Sequence, residues 1–229
     1  MKRSALLLII GLSCGFQLER VPPYPAQTIY TFNHGDARDI IGNTSNNLTL
    51  YNGASAASGY LDTDGINDYA QDPTSSPVTG SEISITLWLW ADSYTNTAFP
   101  QVAVQNYSST GYPYTQWVIQ VQNVSGAMRI AGSLSLGTSR VFSTSDGYTT
   151  GVWYHVALTY DGTTQRLYVD GVEVASTART GSLATTTGKL QIGRWAGGGY
   201  FDGRVDDLVV WHKCISAPIV ADLANGGRS

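Results

Sequence analysis

Apolar and polar residues alternate strictly over Ile83 to Ala91 (ISITLWLWA). This sets Ile83, Ile85, Leu87 and Leu89 on one face and Ser84, Thr86, Trp88 and Trp90 on the other. A period of two is the mark of a half-buried strand. Tyr114 to Gln122 repeats it, with Trp117, Ile119 and Val121 sharing a face. Trp153 to Tyr160 is apolar or aromatic on most positions of both faces, as expected of a strand covered on both sides. The pairs Asp161-Gly162 and Asp170-Gly171 then predict two successive hairpin turns. From Thr28 onward the rest of the chain is a series of short β-runs broken by Gly, Asn, Asp and Ser. Ala217 to Asn225 carries a short helical pattern stopped by Gly226-Gly227. No internal repeat or second composition regime interrupts this, so the pattern predicts one mostly-β domain over residues 28–229.

Composition narrows the partners. With 42% hydrophobic and 11% aromatic residues, the 229-residue chain can fill a sizeable core and is not disordered. Only 13% of its residues are charged, against about 25% in an average soluble domain. Its polar surface is therefore built from Ser, Thr, Asn, Gln and Gly, which suits contact with glycans or other surface proteins. A net charge of −4 and only three lysines argue against nucleic acid, whose backbone is bound through clustered basic residues.

Residues 1–14 read as an export signal: Lys2 and Arg3 form the charged start, and Ala5 to Leu12 an apolar stretch too short to span a bilayer as a helix. A retained N-terminal strand or anchor is the alternative. Ser13-Cys14 loosely echoes a lipoprotein cleavage site, which would lipid-anchor the chain at Cys14. Residues 15–27, with three prolines, read as an extended linker. Cleavage at or after Cys14 leaves Cys214 without an intrachain partner, so Cys214 is expected to be a small buried apolar residue.

Several segments are familiar together. Residues 151–171 (GVWYHVALTYDGTTQRLYVDG) resemble the central signature of laminin G-like and pentraxin-like jelly rolls. There, a Trp-x-His-Val strand ends in Tyr-Asp-Gly, and the next strand ends in a second Asp-Gly. Residues 190–216 (LQIGRWAGGGYFDGRVDDLVVWHKCIS) resemble the closing half of that pattern. Residues 61–70 (LDTDGINDYA) are similar to its Asp-Gly-x-x-Asp-Tyr hairpin, and Tyr30 to Asn33 to its opening strand. The resemblance spans residues 28–225 and implies an all-β, two-sheet antiparallel jelly-roll sandwich of the concanavalin A-like type. Short strands, frequent tight turns and a wide aromatic core agree with it. It also implies that Trp153, His155 and Tyr168 serve core packing and strand pairing.

Relatives of this architecture include glucanases with paired glutamates on one strand. Glycoside cleavage needs two carboxyl groups about 5–10 Å apart across the bond. The chain has three glutamates, Glu19, Glu82 and Glu173, and no two share a strand at usable spacing. No nucleophile elbow, zinc-protease helix or nucleotide loop occurs. The expectation is a domain without catalytic residues.

The resemblance implies one structural calcium ion with Asp206 as a ligand. Strict alternation along residues 205–211 places Asp206 inward with Leu208 and Val210, and Asp207 outward as a surface charge. A second oxygen-rich segment, Asp62 to Asp68, makes Asp64 a candidate ligand, or else a turn in which Asp and Asn cap their own backbone. The pentraxin acidic cluster after the Ile-Gly strand is replaced by Arg194-Trp195-Ala196, so the resemblance does not extend to calcium-mediated ligand binding there.

The candidate ligand surface is the loop 194–200. Three glycines there permit close backbone approach, and Arg194, Trp195 and Tyr200 offer flat rings and a multidentate donor. Tyr112 and Tyr114 are expected to form a neighbouring wall. The alternative is that Trp195 folds back over the sandwich edge and the glycines merely turn the chain. The overall reading is a secreted binding or adhesion module for a glycan or surface protein, with an oligomer allowed. A structural or decoration protein of a cell envelope or virion surface is the second reading, and a glycan hydrolase the third.

Overall fold

A computed structural model describes residues 26–33, 35–40, 47–75, 77–94, 100–109, 114–195 and 198–228. The expected export signal and most of the expected linker lie outside the described residues. The first strand begins at Ala26, two residues before the expected domain start.

Fourteen strands among the described residues form two antiparallel seven-stranded sheets. In the first sheet the order is β1 (Ala26–Tyr30), β14 (Asp202–Trp211), β5 (Ile83–Ala91), β10 (Trp153–Tyr160), β11 (Thr164–Val169) and β12 (Val172–Ala178). β14 is long enough to pair with β1 along one half and with β3 (Leu61–Asp64) along the other. The second sheet runs β2 (Thr49–Tyr51), β4 (Tyr69–Gln71), β13 (Lys189–Ile192), β6 (Gln101–Tyr107), β7 (Thr115–Val124), β8 (Ala127–Leu136) and β9 (Ser139–Tyr148). This is the expected sandwich.

The core lies where the alternation predicts. Ile83, Ile85, Leu87 and Leu89 of β5 pack with Trp117, Ile119 and Val121 of β7 in one buried cluster between the sheets. The predicted hairpin turns at Asp161-Gly162 and Asp170-Gly171 join β10, β11 and β12. At the second, Asp170 and Gly171 both take positive φ (49° and 80°), as a two-residue turn matched to strand twist requires.

The outer face of the first sheet is also covered, which explains why β10 is apolar on both sides. The helix α1 (Ala217–Asn225) lays Val220 against Ile29, Ala157, Tyr168, Val209, Trp211 and Ile215. His155 and Tyr168 are buried on this outer side and Trp153 is half-buried, so they pack outside the sandwich rather than between its sheets. Cys214 is half-buried, and burial pushes its thiol pKa up.

Two local expectations are corrected. The segment 61–70 is not a hairpin: β3 pairs with β14 in the first sheet and β4 with β2 and β13 in the second, so this corner carries the chain across the sandwich. The alternation of β14 also breaks. Asp207 sits at φ 45°, and the register with β5 slips between Asp206 and Val209. This bulge inserts one residue and reverses the face of everything before it. Asp206 therefore shares the outer face with Arg204, while Val205, Leu208 and Val210 point into the core. Asp207 is buried rather than a surface charge.

Candidate functional site

On the outer face of the second sheet, three glutamines stand side by side across β4, β13 and β6. Ala70, Leu190, Ile192 and Val104 face the core, so alternation turns Gln71, Gln191 and Gln105 outward. The register sets Gln191 opposite both Gln71 and Gln105. Gln191 Nε2 donates to Gln71 Oε1 at 2.7 Å, and Gln105 Nε2 donates to Gln191 Oε1 at 3.0 Å and to the Arg194 carbonyl at 2.7 Å. Gln105 is fully buried, yet its Oε1 has no hydrogen-bond partner. A buried acceptor without a donor costs about 1–3 kcal/mol.

Two residues along β4 from Gln71, and on the same face, Tyr69 stacks on its cross-strand partner Tyr51 with centroids 4.4 Å apart and planes 6° from parallel. The Arg194 guanidinium lies 4.7 Å from the Tyr69 ring centroid, so Tyr69 carries a cation as well as a ring against it. Tyr51, Tyr69, Arg194, Trp195 and Tyr200 are each half-buried.

The Arg194 loop is a tight reversal. Arg194 and Tyr200 form a bridge, the Trp195 amide donates to the Gly199 carbonyl, and the Gly198 amide, at φ 100°, donates to the Trp195 carbonyl. Three of the expected ligand residues are thus brought together beside the glutamine row. Tyr114 is not among them. It is half-exposed, and its carbonyl accepts from the Ser108 amide at the far end of β6, whereas Gly193 bonds to Ala103 near the start of β6. Tyr112 lies outside the described residues.

The expected calcium ligands are occupied otherwise. Asp64 Oδ1 accepts from the amides of Ile66, Asn67 and Asp68 at 2.9, 3.2 and 3.3 Å, and these bonds, that from Ile66 foremost, lower its pKa. That is the self-capping turn. Asp206 is fully buried and accepts from the Asp207 amide at 2.8 Å and from Arg228 Nη1 at 2.9 Å. Burial, then the Asp207 charge, pushes its carboxyl up to about 8 against the pull of those two donors. Among the described residues no three His, Cys, Asp or Glu side chains converge, and the cation paired with Asp206 is the Arg228 guanidinium.

His155 sits in a buried setting beside an indole ring. Burial lowers it to about 4, its Nδ1 has no hydrogen-bond partner, and its ring stands edge-on to Trp88 at 5.4 Å. It is a neutral packing residue.

Comparison with known proteins places this geometry. The sequence profile of the concanavalin A-like lectin/glucanases superfamily, in its laminin G form, matches residues 64–221, more than half of the chain. The chain belongs to this family. A curated relative, pappalysin-1 of Mus musculus, is 28% identical to this laminin G-like domain over 159 residues, covering 63% of the chain and 10% of that protein. The domain therefore spans about a tenth of the relative's length. Domain 4 of AbnA, an extracellular arabinanase of Geobacillus stearothermophilus solved in complex with arabinotriose, superposes with a TM-score of 0.66 at 19% identity, covering 88% of this chain and 98% of that one. The binding domain of botulinum neurotoxin serotype D gives a TM-score of 0.66 at 12% identity, over 88% of this chain and 51% of that one. At such identities these likenesses establish the fold.

Within the laminin G-like domain, sequence reading found the Arg194 loop but missed Gln71, Gln105 and Gln191. Each reads as an ordinary polar position next to an apolar one, in Ala70-Gln71, Val104-Gln105 and Leu190-Gln191-Ile192. The usable signal was a glutamine, rather than Ser or Thr, at the outward position of three separate runs. Only the strand order makes them neighbours.

Proposed function

We propose that this domain is a non-catalytic carbohydrate-binding module that acts outside the cell, and that its ligand lies on the outer face of the second sheet beside the Arg194 loop. The observation that carries this reading is the row Gln71–Gln191–Gln105, flanked by the Tyr51–Tyr69–Arg194 stack. An amide both donates and accepts, as sugar hydroxyls do, and ring faces meet the C–H side of a pyranose or furanose. Convergent polar groups beside aromatic walls on a rigid sheet are the usual composition of such a site. The fold shared with a domain solved with arabinotriose bound supports the same class of ligand. Export is supported by Lys2, Arg3 and the apolar run Ala5 to Leu12. Arg228, in this reading, takes the place expected for calcium at Asp206.

The test is to screen the domain against a panel of oligosaccharides that includes arabinotriose. The strongest hit is then measured with Arg194→Ala and Trp195→Ala. Affinity should fall about tenfold or more, roughly 1.4 kcal/mol, with the melting temperature unchanged. A melting temperature lower by several degrees in Trp195→Ala would instead make that ring part of the packing. A panel without a hit would contradict the reading. The domain should release no reducing sugar from arabinan or β-glucan; turnover abolished by one Asp substitution would refute its non-catalytic character.

A further inference from the structure

The outer face of the first sheet carries a second constellation, unrelated to the glutamine row. Cross-strand register builds it in two lines: Arg204, Trp90 and Trp153 in one, Asp206, Trp88 and His155 in the next. Tyr60, just before β3, closes the side, 5.9 Å from Trp153. Arg204 lies 5.4 Å from the Tyr60 ring and 5.1 Å from the Trp90 ring, held by Asp62 at 3.1 Å and Asp92 at 3.3 Å. It is a fixed member of the sheet.

Arg228 differs. It comes from the segment after α1, beyond Gly226 and Gly227, and reaches back onto the sheet. Its guanidinium carbon is 4.5 Å from the Trp153 ring centroid and 5.5 Å from that of Tyr60, and its Nη1 donates to Asp206 at 2.9 Å and to the Gly59 carbonyl at 3.5 Å. Every receiving group belongs to the sheet or to the corner before β3: a fully buried carboxyl group as floor, two rings as walls and a carbonyl at the rim. Such a set matches a planar cation with several N–H donors better than a compact ammonium.

We propose that Asp206, Trp153, Tyr60 and the Gly59 carbonyl form a guanidinium-binding pocket, and that Arg228 is its ligand in cis. The segment after α1 then acts as a plug. A guanidinium from another molecule, such as an arginine side chain of a protein partner, binds the pocket when the plug is withdrawn. The pocket lies on the opposite outer face from the proposed glycan site, so the two readings stand or fall separately.

The experiment uses the full chain carrying Arg228→Ala and reads both thermal melting and tryptophan fluorescence. Well above the pH of about 8 at which Asp206 ionises, ethylguanidinium at concentrations well below denaturing ones should raise the melting temperature saturably and change the tryptophan emission. Ethylammonium and calcium should do neither. Adding Asp206→Asn should weaken ethylguanidinium binding about tenfold or more, the range lost with a hydrogen bond to a charged group. If Arg228→Ala does not fold alone, refolding restored by ethylguanidinium supports the pocket, and refolding that it fails to restore overturns it. No saturable response in folded Arg228→Ala would also overturn the proposal, as would a response to calcium in place of ethylguanidinium.

Discussion

Asp206 and His155 lie within two strands of each other under α1's side of the sheet, and they titrate in opposite senses. Folded Asp206 keeps its proton up to about 8, whereas an unfolded aspartate loses it near pH ~4. Between those values the folded state holds more protons, so stability falls as pH rises. Folded His155 loses its proton at about 4 and an unfolded histidine at about 6.5, so its contribution rises over that interval. Burial lowers His212 as well, which adds to the rise. The two slopes oppose each other below about pH 6.5, and among the described residues that of Asp206 dominates from there to about 8. The groups facing Asp206 are Arg228, Asp207 and, across the ladder, Trp88 and His155. Urea midpoints followed from pH 6.5 to 8 should decline in the native chain and stay level in Asp206→Asn. An equal decline in both would assign the slope to another group.

At the scale of elements, α1 packs closely against the turn at Gly171. A Cβ on Gly171 would stand 3.0 Å from Ala221 Cα, at a φ of 80° that suits glycine. Gly171→Ala should destabilise the fold by about 1–3 kcal/mol, read as a lower urea midpoint with α1 loosened. No change in that midpoint would mean that the helix is not clamped at the turn. The regular elements were legible in the sequence: β5, β7, β10, the two Asp-Gly turns and α1 follow from periodicity and turn chemistry alone. What was not legible depends on pairings. The bulge at Asp207 changes the face of Asp206, and nothing in Val205-Asp206-Asp207-Leu208 announces it, because both aspartates look alike until β5 fixes the register. The corner Asp64 to Tyr69 looked like a hairpin because Asp-Gly is a turn signal. Its flanking strands find different sheets because β14 offers an edge for β3 and β13 one for β4. The candidate site divides the same way: the Arg194 loop is contiguous and could be found, whereas the glutamine row is assembled from three distant strands.

For the whole molecule, the two outer faces of the sandwich have different characters. The first sheet is sealed by α1 and the Arg228 segment over an aromatic and arginine lattice. The second presents amides and stacked tyrosines. Among the described residues no helix is long and apolar enough to cross a membrane. A low charged fraction of 13% and a net charge of −4 give the chain little long-range attraction for polyanions. The most direct measurement follows the glutamine side-chain amide resonances and the tryptophan indole resonances by nuclear magnetic resonance while the best oligosaccharide from the panel is titrated in. Saturable shifts should appear at the side-chain amides of Gln71, Gln191 and Gln105 and at the Trp195 indole, with the indoles of Trp88, Trp90 and Trp153 unmoved. Shifts at those three indoles with the glutamine amides unmoved would place the ligand on the other sheet and contradict the account.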